Sequence, residues 1–144
     1  MNKFDRFIAK CKHHNFKITP QRIVIYKALM DSKEHPSAEK IHIKVKKEFP
    51  NISLDTVCRT LGIFIEMGIA HTVEGHGDPK RFDPNLEPHH HFYCLACGDL
   101  TDFYSDTLDQ VKIPDELDQK FNITGKRMVL SGYCKICEKK RKEA

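Results

Sequence analysis

Two Cys-x-x-Cys pairs constrain this chain more than any other feature. Cys94-Leu95-Ala96-Cys97 and Cys134-Lys135-Ile136-Cys137 are separated by the 36 residues 98–133. Each pair is expected to bracket a turn, so that four sulfurs face one tetrahedral ion with Zn–S bonds of about 2.3 Å. Four thiolates fill that coordination sphere and leave no place for a substrate, so the expected ion is a structural Zn(II). A redox-active dithiol would need only one pair. Asp5 and Arg6 interrupt any N-terminal apolar stretch, and no run approaches the ~20 apolar residues of a membrane span. The expectation is a cytoplasmic protein with no membrane partner, whose six cysteines do not form three disulfides. Cys11 and Cys58, outside the pairs, read as small, semi-buried hydrophobes.

A chain of 144 residues makes one ordinary domain or two small ones. Its first half carries helical periodicity. A helix over about 3–14 places Phe4, Phe7, Ile8 and Cys11 on one face. A second starts at the N-cap Thr19 with Pro20 next and presents Ile23, Tyr26, Ala28 and Leu29. A third opens at Ser37 with Ala38, Ile41 and Val45, and Phe49-Pro50 closes it. Ser53 caps a fourth through Met67 with Val57, Leu61, Phe64 and Ile65 buried, and Gly68 ends it. Strands over 69–73 and 81–83 follow, joined by the turn Gly75-His76-Gly77-Asp78-Pro79.

Helices followed by a two-stranded wing describe a winged helix-turn-helix, with 53–67 as the recognition helix. The charge agrees. Residues 1–86 hold 15 Lys/Arg against 10 Asp/Glu (+5), whereas residues 87–144 hold 9 against 10 (−1). A basic first half points to a polyanion, although lysines on solvated helix faces give the same count.

Pro84-Asn85-Leu86-Glu87-Pro88 breaks the pattern and reads as a hinge. Beyond it come strands over 91–94 and 100–104 around the Cys97-Gly98 turn. A short helix at 114–121, a long strand over 123–133 and a charged C-terminal helix complete the chain. The expected fold class is α+β: a winged-helix DNA-binding domain at 1–83, the hinge at 84–88, and a small α/β dimerisation and metal-binding domain at 89–144. The latter is expected to contain an antiparallel sheet. Domains this small need a metal or a partner subunit, so the zinc and dimerisation through the sheet are expected to act together.

Pro88-His89-His90-His91 forms a second cluster. On a strand, His89 and His91 share a face and His90 points away. Two imidazoles about 7 Å apart along the strand can grip one ion with help from Asp83, Asp102 or His35. Such a mixed nitrogen and oxygen set suits Fe(II), Mn(II) or Zn(II). Taken one at a time, these histidines also read as exposed loop residues.

The order of these features resembles the ferric uptake regulator (Fur) family over nearly the whole chain. The match rests on Lys17-Ile18-Thr19-Pro20-Gln21-Arg22, His35-Pro36-Ser37-Ala38 and Ser53-Leu54-Asp55-Thr56-Val57-Cys58-Arg59-Thr60-Leu61. It continues through Arg81-Phe82-Asp83, His89 to Cys94 and both Cys pairs. Within the family the chain looks most like the peroxide-sensing repressors. That resemblance implies a regulatory Fe(II) or Mn(II) held by His35, Asp83, His89, His91 and Asp102. Asp102, where iron sensors typically carry glutamate, would mark a peroxide sensor in which His35 and His89 are oxidised. The resemblance further implies a homodimer on a double-stranded DNA operator, controlling oxidative-stress genes, and stoichiometric sensing rather than an enzyme.

The expected DNA-contacting set is Lys17, Arg22, Ser53, Thr56, Cys58, Arg59 and Thr60. Lys17 would enter an A·T-rich minor groove by resemblance, and Arg59 could read guanine. Cys58 departs from the family's usual tyrosine, which leaves the operator open. No histidine follows His91, so the further inter-domain metal site of some relatives is expected to be absent. Three rival readings remain. An iron- or zinc-uptake regulator without peroxide sensing shares the ligands. A zinc-ribbon hydrolase would need an open metal position and a general base. An interaction module on a zinc-stapled scaffold would show no salt-dependent DNA binding.

Overall fold

Four polar side chains start the first four helices in the computed structural model, which describes residues 2–73 and 80–143. Asn2, in a reciprocal box with Asp5, begins α1 (Lys3–His13), and Thr19 before Pro20 begins α2 (Pro20–Met30). Ser37 begins α3 (Ala38–Val45) and Ser53 begins α4 (Leu54–Glu66). In each case the side-chain oxygen accepts the backbone N–H three residues on, satisfying a donor that the helix leaves without a partner. The chain divides into two compact units, Met1–Leu86 and Glu87–Ala144.

The core of the first unit is aromatic at its centre. Phe7 of α1 stacks on Tyr26 of α2 at 4.0 Å between ring centroids, and Phe64 of α4 meets Phe7 edge-on at 5.5 Å. Ile25, Leu29, Ile41, Val45, Val57 and Leu61 are buried around them. Ile25, rather than the expected Ile23, is the fully buried isoleucine of α2. Gly68 takes φ +72, the left-handed conformation that lets the chain leave α4, and Lys10 of α1 donates to its carbonyl.

α3 stops at Val45, before the expected Phe49-Pro50. Lys47 and Glu48 donate to carbonyls three residues back, which tightens the chain out of the α-helix. Strands β1 (His71–Thr72) and β2 (Phe82–Asp83) then pair antiparallel, with His71 opposite Asp83. This is the helices-then-wing order of a winged helix. The expected turn Gly75-His76-Gly77-Asp78-Pro79 lies outside the described residues.

In the second unit, β3 (His90–Cys94) is the centre of a three-stranded sheet, flanked by β4 (Leu100–Phe103) and β5 (Val129–Gly132). β4 is antiparallel to β3, but β5 runs parallel to it, so the sheet is mixed and not antiparallel as expected. The reason is the connection. Residues 104–128 give 25 residues between β4 and β5, long enough for the crossover that a parallel pair requires. The expected long strand shortens to Val129–Gly132, the stretch that lies beside His91–Cys94. The crossover holds α5 (Asp106–Asp109), too short to show a helical period, and α6 (Asp115–Lys120). The C-terminal helix α7 is Lys135–Glu143.

Apolar burial differs sharply between the units. Among the described residues of the second unit, the only buried apolar side chain is Cys94. Leu95, Val111, Leu117, Phe121, Leu130 and Ile136 lie exposed. The second unit therefore lacks the core that stabilises the first. Truncation of Phe64 to alanine should remove the centre of the aromatic cluster and cost about 3–5 kcal/mol. Denaturant unfolding followed by helical circular dichroism measures it; a loss well below 1 kcal/mol would mean that Phe64 does not anchor the helices.

Candidate metal centres and nucleic-acid surface

The four thiols of the two pairs are brought together. One sulfur from each of Cys94, Cys97, Cys134 and Cys137 lies within 4.8 Å of every other. A tetrahedron with ~2.3 Å Zn–S bonds has edges of about 3.8 Å, so the cluster fits the ion with little adjustment. The first pair brackets the turn after β3. The second does not bracket a loop turn as expected: Cys134 precedes α7 and Cys137 lies in its first turn, where residues three apart share a face.

Electrostatics at the cluster favour a cation. Backbone N–H groups of Cys97 and Cys134 point at the Cys94 sulfur, the latter at 3.4 Å, and lower its pKa to about 6. The Cys134 thiol, with burial and the other two sulfurs, pushes Cys137 up to about 12. At Cys97 the Asp99 backbone N–H lowers the pKa, but the Cys94 hydrogen bond and burial outweigh it and the thiol ends raised. Without a cation, then, Cys94 ionises readily while Cys97 and Cys137 keep their protons. Neighbouring thiolates repel one another, and a divalent ion removes that penalty.

In the second unit, His89, His91 and Asp102 converge. His91 Nε2 lies 3.1 Å from Asp102 Oδ1 and 3.1 Å from His89 Nε2, and His89 Nε2 lies 3.9 Å from the same carboxylate oxygen. Neighbouring ligands on an octahedral ion with ~2.1 Å bonds sit about 3 Å apart. Pairing of β3 with β4 creates this, because it sets His91 directly opposite Asp102. The Glu87 carbonyl can only accept, so at 2.6 Å from His89 Nδ1 it fixes the proton there and turns the Nε2 lone pair inward. His90 points away, as strand alternation predicts, and is buried with Nε2 at 2.7 Å from Asp109 and Nδ1 accepting the Met128 N–H. This pinning of β3 to α5 and β5 was invisible in the sequence, since Asp109 carries no local signal.

In the first unit, His35 Nε2 lies 3.7 Å from Asp83 Oδ2, both side chains being buried. Asp83 Oδ1 accepts the Asn85 N–H at 2.9 Å, which orients the carboxylate. His35 adopts φ +51, a left-handed backbone that costs an L-residue roughly 1–2 kcal/mol. Nitrogen and oxygen donors of this kind suit Fe(II), Mn(II) or Zn(II), whereas the all-sulfur set selects zinc.

Lys17, Arg22, Thr56, Arg59 and Thr60 line one groove of about 740 Å³ on the first unit, beside the starts of α2 and α4. Arg22 stacks over the Phe16 ring at 3.9 Å and donates to the Lys17 carbonyl. Arg59 is 79% exposed and pairs with Asp55 at 2.9 Å. Two of the expected contacts also hold α4 itself. Thr60, at the edge of the groove, is only 4% exposed and its hydroxyl donates to the Thr56 carbonyl. Ser53 caps α4 through Thr56 N–H and hydrogen-bonds the Thr56 hydroxyl. Cys58 is exposed rather than semi-buried, whereas Cys11 is fully buried.

Zinc binding should release the Cys97 and Cys137 protons. Zn(II) affinity, measured by competition with a chelator, should therefore rise as pH increases through neutrality and fall towards pH 6, where Cys94 also protonates. A flat profile would exclude thiol ligation. Cys137→Ser should lose the zinc and loosen the second unit, read by metal content and amide exchange in β3 and β5.

Among the described residues, no helix is long and apolar enough to cross a membrane. Comparison with known proteins gives a consistent picture. Residues 13–131 match the ferric uptake regulator family. The peroxide-responsive repressor PerR of Staphylococcus saprophyticus is 35% identical over 133 residues, covering 92% of this chain and 90% of its own. The Helicobacter pylori ferric uptake regulator Fur, a protein with three functional metal-binding sites, shares the fold at TM-score 0.78 and 23% identity, over 94% of this chain and 91% of its own. PerR from Streptococcus pyogenes aligns at TM-score 0.55 and 26% identity, over 95% and 94%. Members of this family are DNA-binding dimers that regulate transcription and are not enzymes. With two Cys pairs, a His/Asp strand and a winged helix in the family's order, the chain belongs to the ferric uptake regulator family of metal-responsive transcription regulators.

Proposed function

We propose that this protein is a homodimeric, metal-dependent repressor that senses peroxide through a regulatory Fe(II) or Mn(II) and controls oxidative-stress genes. The convergence of His89, His91 and Asp102 carries the reading, because three donor atoms already meet at metal-ligand spacing. The ligand set is completed by His35 and Asp83 of the first unit, and the zinc held by Cys94, Cys97, Cys134 and Cys137 is structural. The peroxide-responsive repressors among the relatives support the choice of signal.

In this reading 1–83 bind DNA, 84–88 form the hinge and 89–144 dimerise. A metal that needs ligands from both sides of the hinge favours one conformer through its differential affinity for it, and so sets the spacing of two recognition helices. Exposed apolar side chains of the second unit supply the dimer contact. Bound Fe(II) supplies reactivity toward peroxide. One oxygen passes to an imidazole carbon of His35 or His89 and the other leaves as water. The altered ring no longer donates well, the hinge loosens and the operator is released. Lys17, Arg22, Ser53, Thr56, Cys58, Arg59 and Thr60 form the DNA surface, and repression takes place in the cytoplasm, where the operator is.

Gel-shift titration with each metal tests this. Peroxide should weaken operator binding about tenfold or more with Fe(II) and leave it intact with Mn(II). Mass spectrometry of the iron form should find one added oxygen on His35 or His89. Equal peroxide response with both metals would count against iron-mediated oxidation, and no response with either would favour an iron- or zinc-uptake regulator without peroxide sensing. Arg59→Ala should cost about 1–3 kcal/mol of operator affinity and relax preference at one base pair; a uniform loss across sequences would reduce Arg59 to a phosphate contact.

A further inference from the structure

Arg81 belongs to neither metal-ligand set, yet its side chain reaches directly to the backbone of one proposed ligand. Its Nε–H donates to the His35 carbonyl at 2.8 Å and its Nη2–H to the Glu34 carbonyl at 2.6 Å. The next backbone amide, that of Phe82, donates to the Pro36 carbonyl at 2.9 Å. Three successive carbonyls of the loop are thus held by two successive residues, and Arg81 also sits opposite Ser37 in an isolated antiparallel bridge.

The middle residue of that loop is the one that needs holding. His35 precedes Pro36, a position that disfavours the right-handed helical region, and its φ of +51 is uncommon for any residue with a side chain. Such a conformation persists only where its surroundings over-determine it. A planar guanidinium can bind two carbonyls at a fixed angle, which a lysine ammonium cannot. Asp83 follows two positions after Arg81 along an extended segment, so both side chains project to one face. One short stretch therefore supplies both the partner carboxylate of His35 and the fork that sets the His35 backbone.

We infer that Arg81 is a positioning residue for the regulatory metal. Its guanidinium locks the Glu34–Pro36 loop in the left-handed turn that presents the His35 imidazole beside Asp83. The inference rests on the ligand set proposed above.

The test is a double-mutant cycle on the full-length zinc-containing protein. Mn(II) affinity is read from the paramagnetic resonance signal of the free ion for the unaltered protein, Arg81→Lys, Arg81→Gln, His35→Ala and His35→Ala combined with Arg81→Lys. Zinc content and helical circular dichroism are recorded alongside. Arg81→Lys and Arg81→Gln should each weaken Mn(II) binding by about 10–100-fold, the range for groups that orient a ligand, with zinc content unchanged. In the His35→Ala background the Arg81→Lys change should fall below about twofold, because both act through one imidazole.

Unchanged Mn(II) affinity in Arg81→Lys would overturn the inference. So would a full loss that persists without His35, or a loss of zinc and helicity with the manganese. If His35→Ala itself leaves Mn(II) affinity intact, the proposed ligand set fails, and the role of Arg81 with it. A loss in His35→Ala without one in Arg81→Lys refutes the positioning role alone.

Discussion

The second unit has almost no apolar interior, and much of this protein follows from that. Among its described residues, Cys94 is the single buried apolar side chain, while three consecutive histidines beside it are buried too. Hydrophobic burial contributes about 25 cal/mol per Å² of apolar surface, so such a unit gains little from it. Cross-links must hold it. The four thiols tie the end of β3 to the start of α7, which are 40 residues apart (134 − 94). An ion there closes a long loop and stabilises the fold directly, since the site does not exist in the unfolded chain. The apolar side chains left on the outside are what a partner subunit would cover.

The interior that does exist is polar. His89, His90 and His91 are each at most 1% exposed. Burying a polar group without a partner costs on the order of 1–3 kcal/mol, and far more for an isolated charge. His90 meets this cost with Asp109 and the Met128 amide, which makes it a structural pin. His91 and His89 instead face Asp102 and one another, an arrangement of converging lone pairs that a cation suits better than a proton. Chemically similar histidines, adjacent in sequence, thus have opposite tasks because the strand alternates.

Much of the first unit was legible because its signals are local. Caps at Thr19, Ser37 and Ser53, the helical stripes and the Gly68 stop are each set within a few residues. Errors came where neighbours in space decided. Ile25, about 200° around the helix from Ile23, is the buried one, because packing against the other helices sets which face α2 turns to the core. The third helix ended early through a tightened turn that the downstream proline did not reveal. The direction of β5 was misread because strand pattern is the same in either sense and the crossover length alone carried the clue.

By itself the sequence determined the chemistry available: four thiols in two pairs, the alternating histidines, the caps and the basic first half. Ligand type and short-range spacing are properties of consecutive residues, so they need no fold to be read. The tertiary structure decided which atoms meet. Antiparallel register put Asp102 opposite His91, and the backbone of β2 brought Asp83 to His35. Arg81 met the loop 46 positions earlier, a pairing with no trace in local pattern. Contacts at that range depend on the sum of packing and hydrogen bonding across the unit, which periodicity cannot encode.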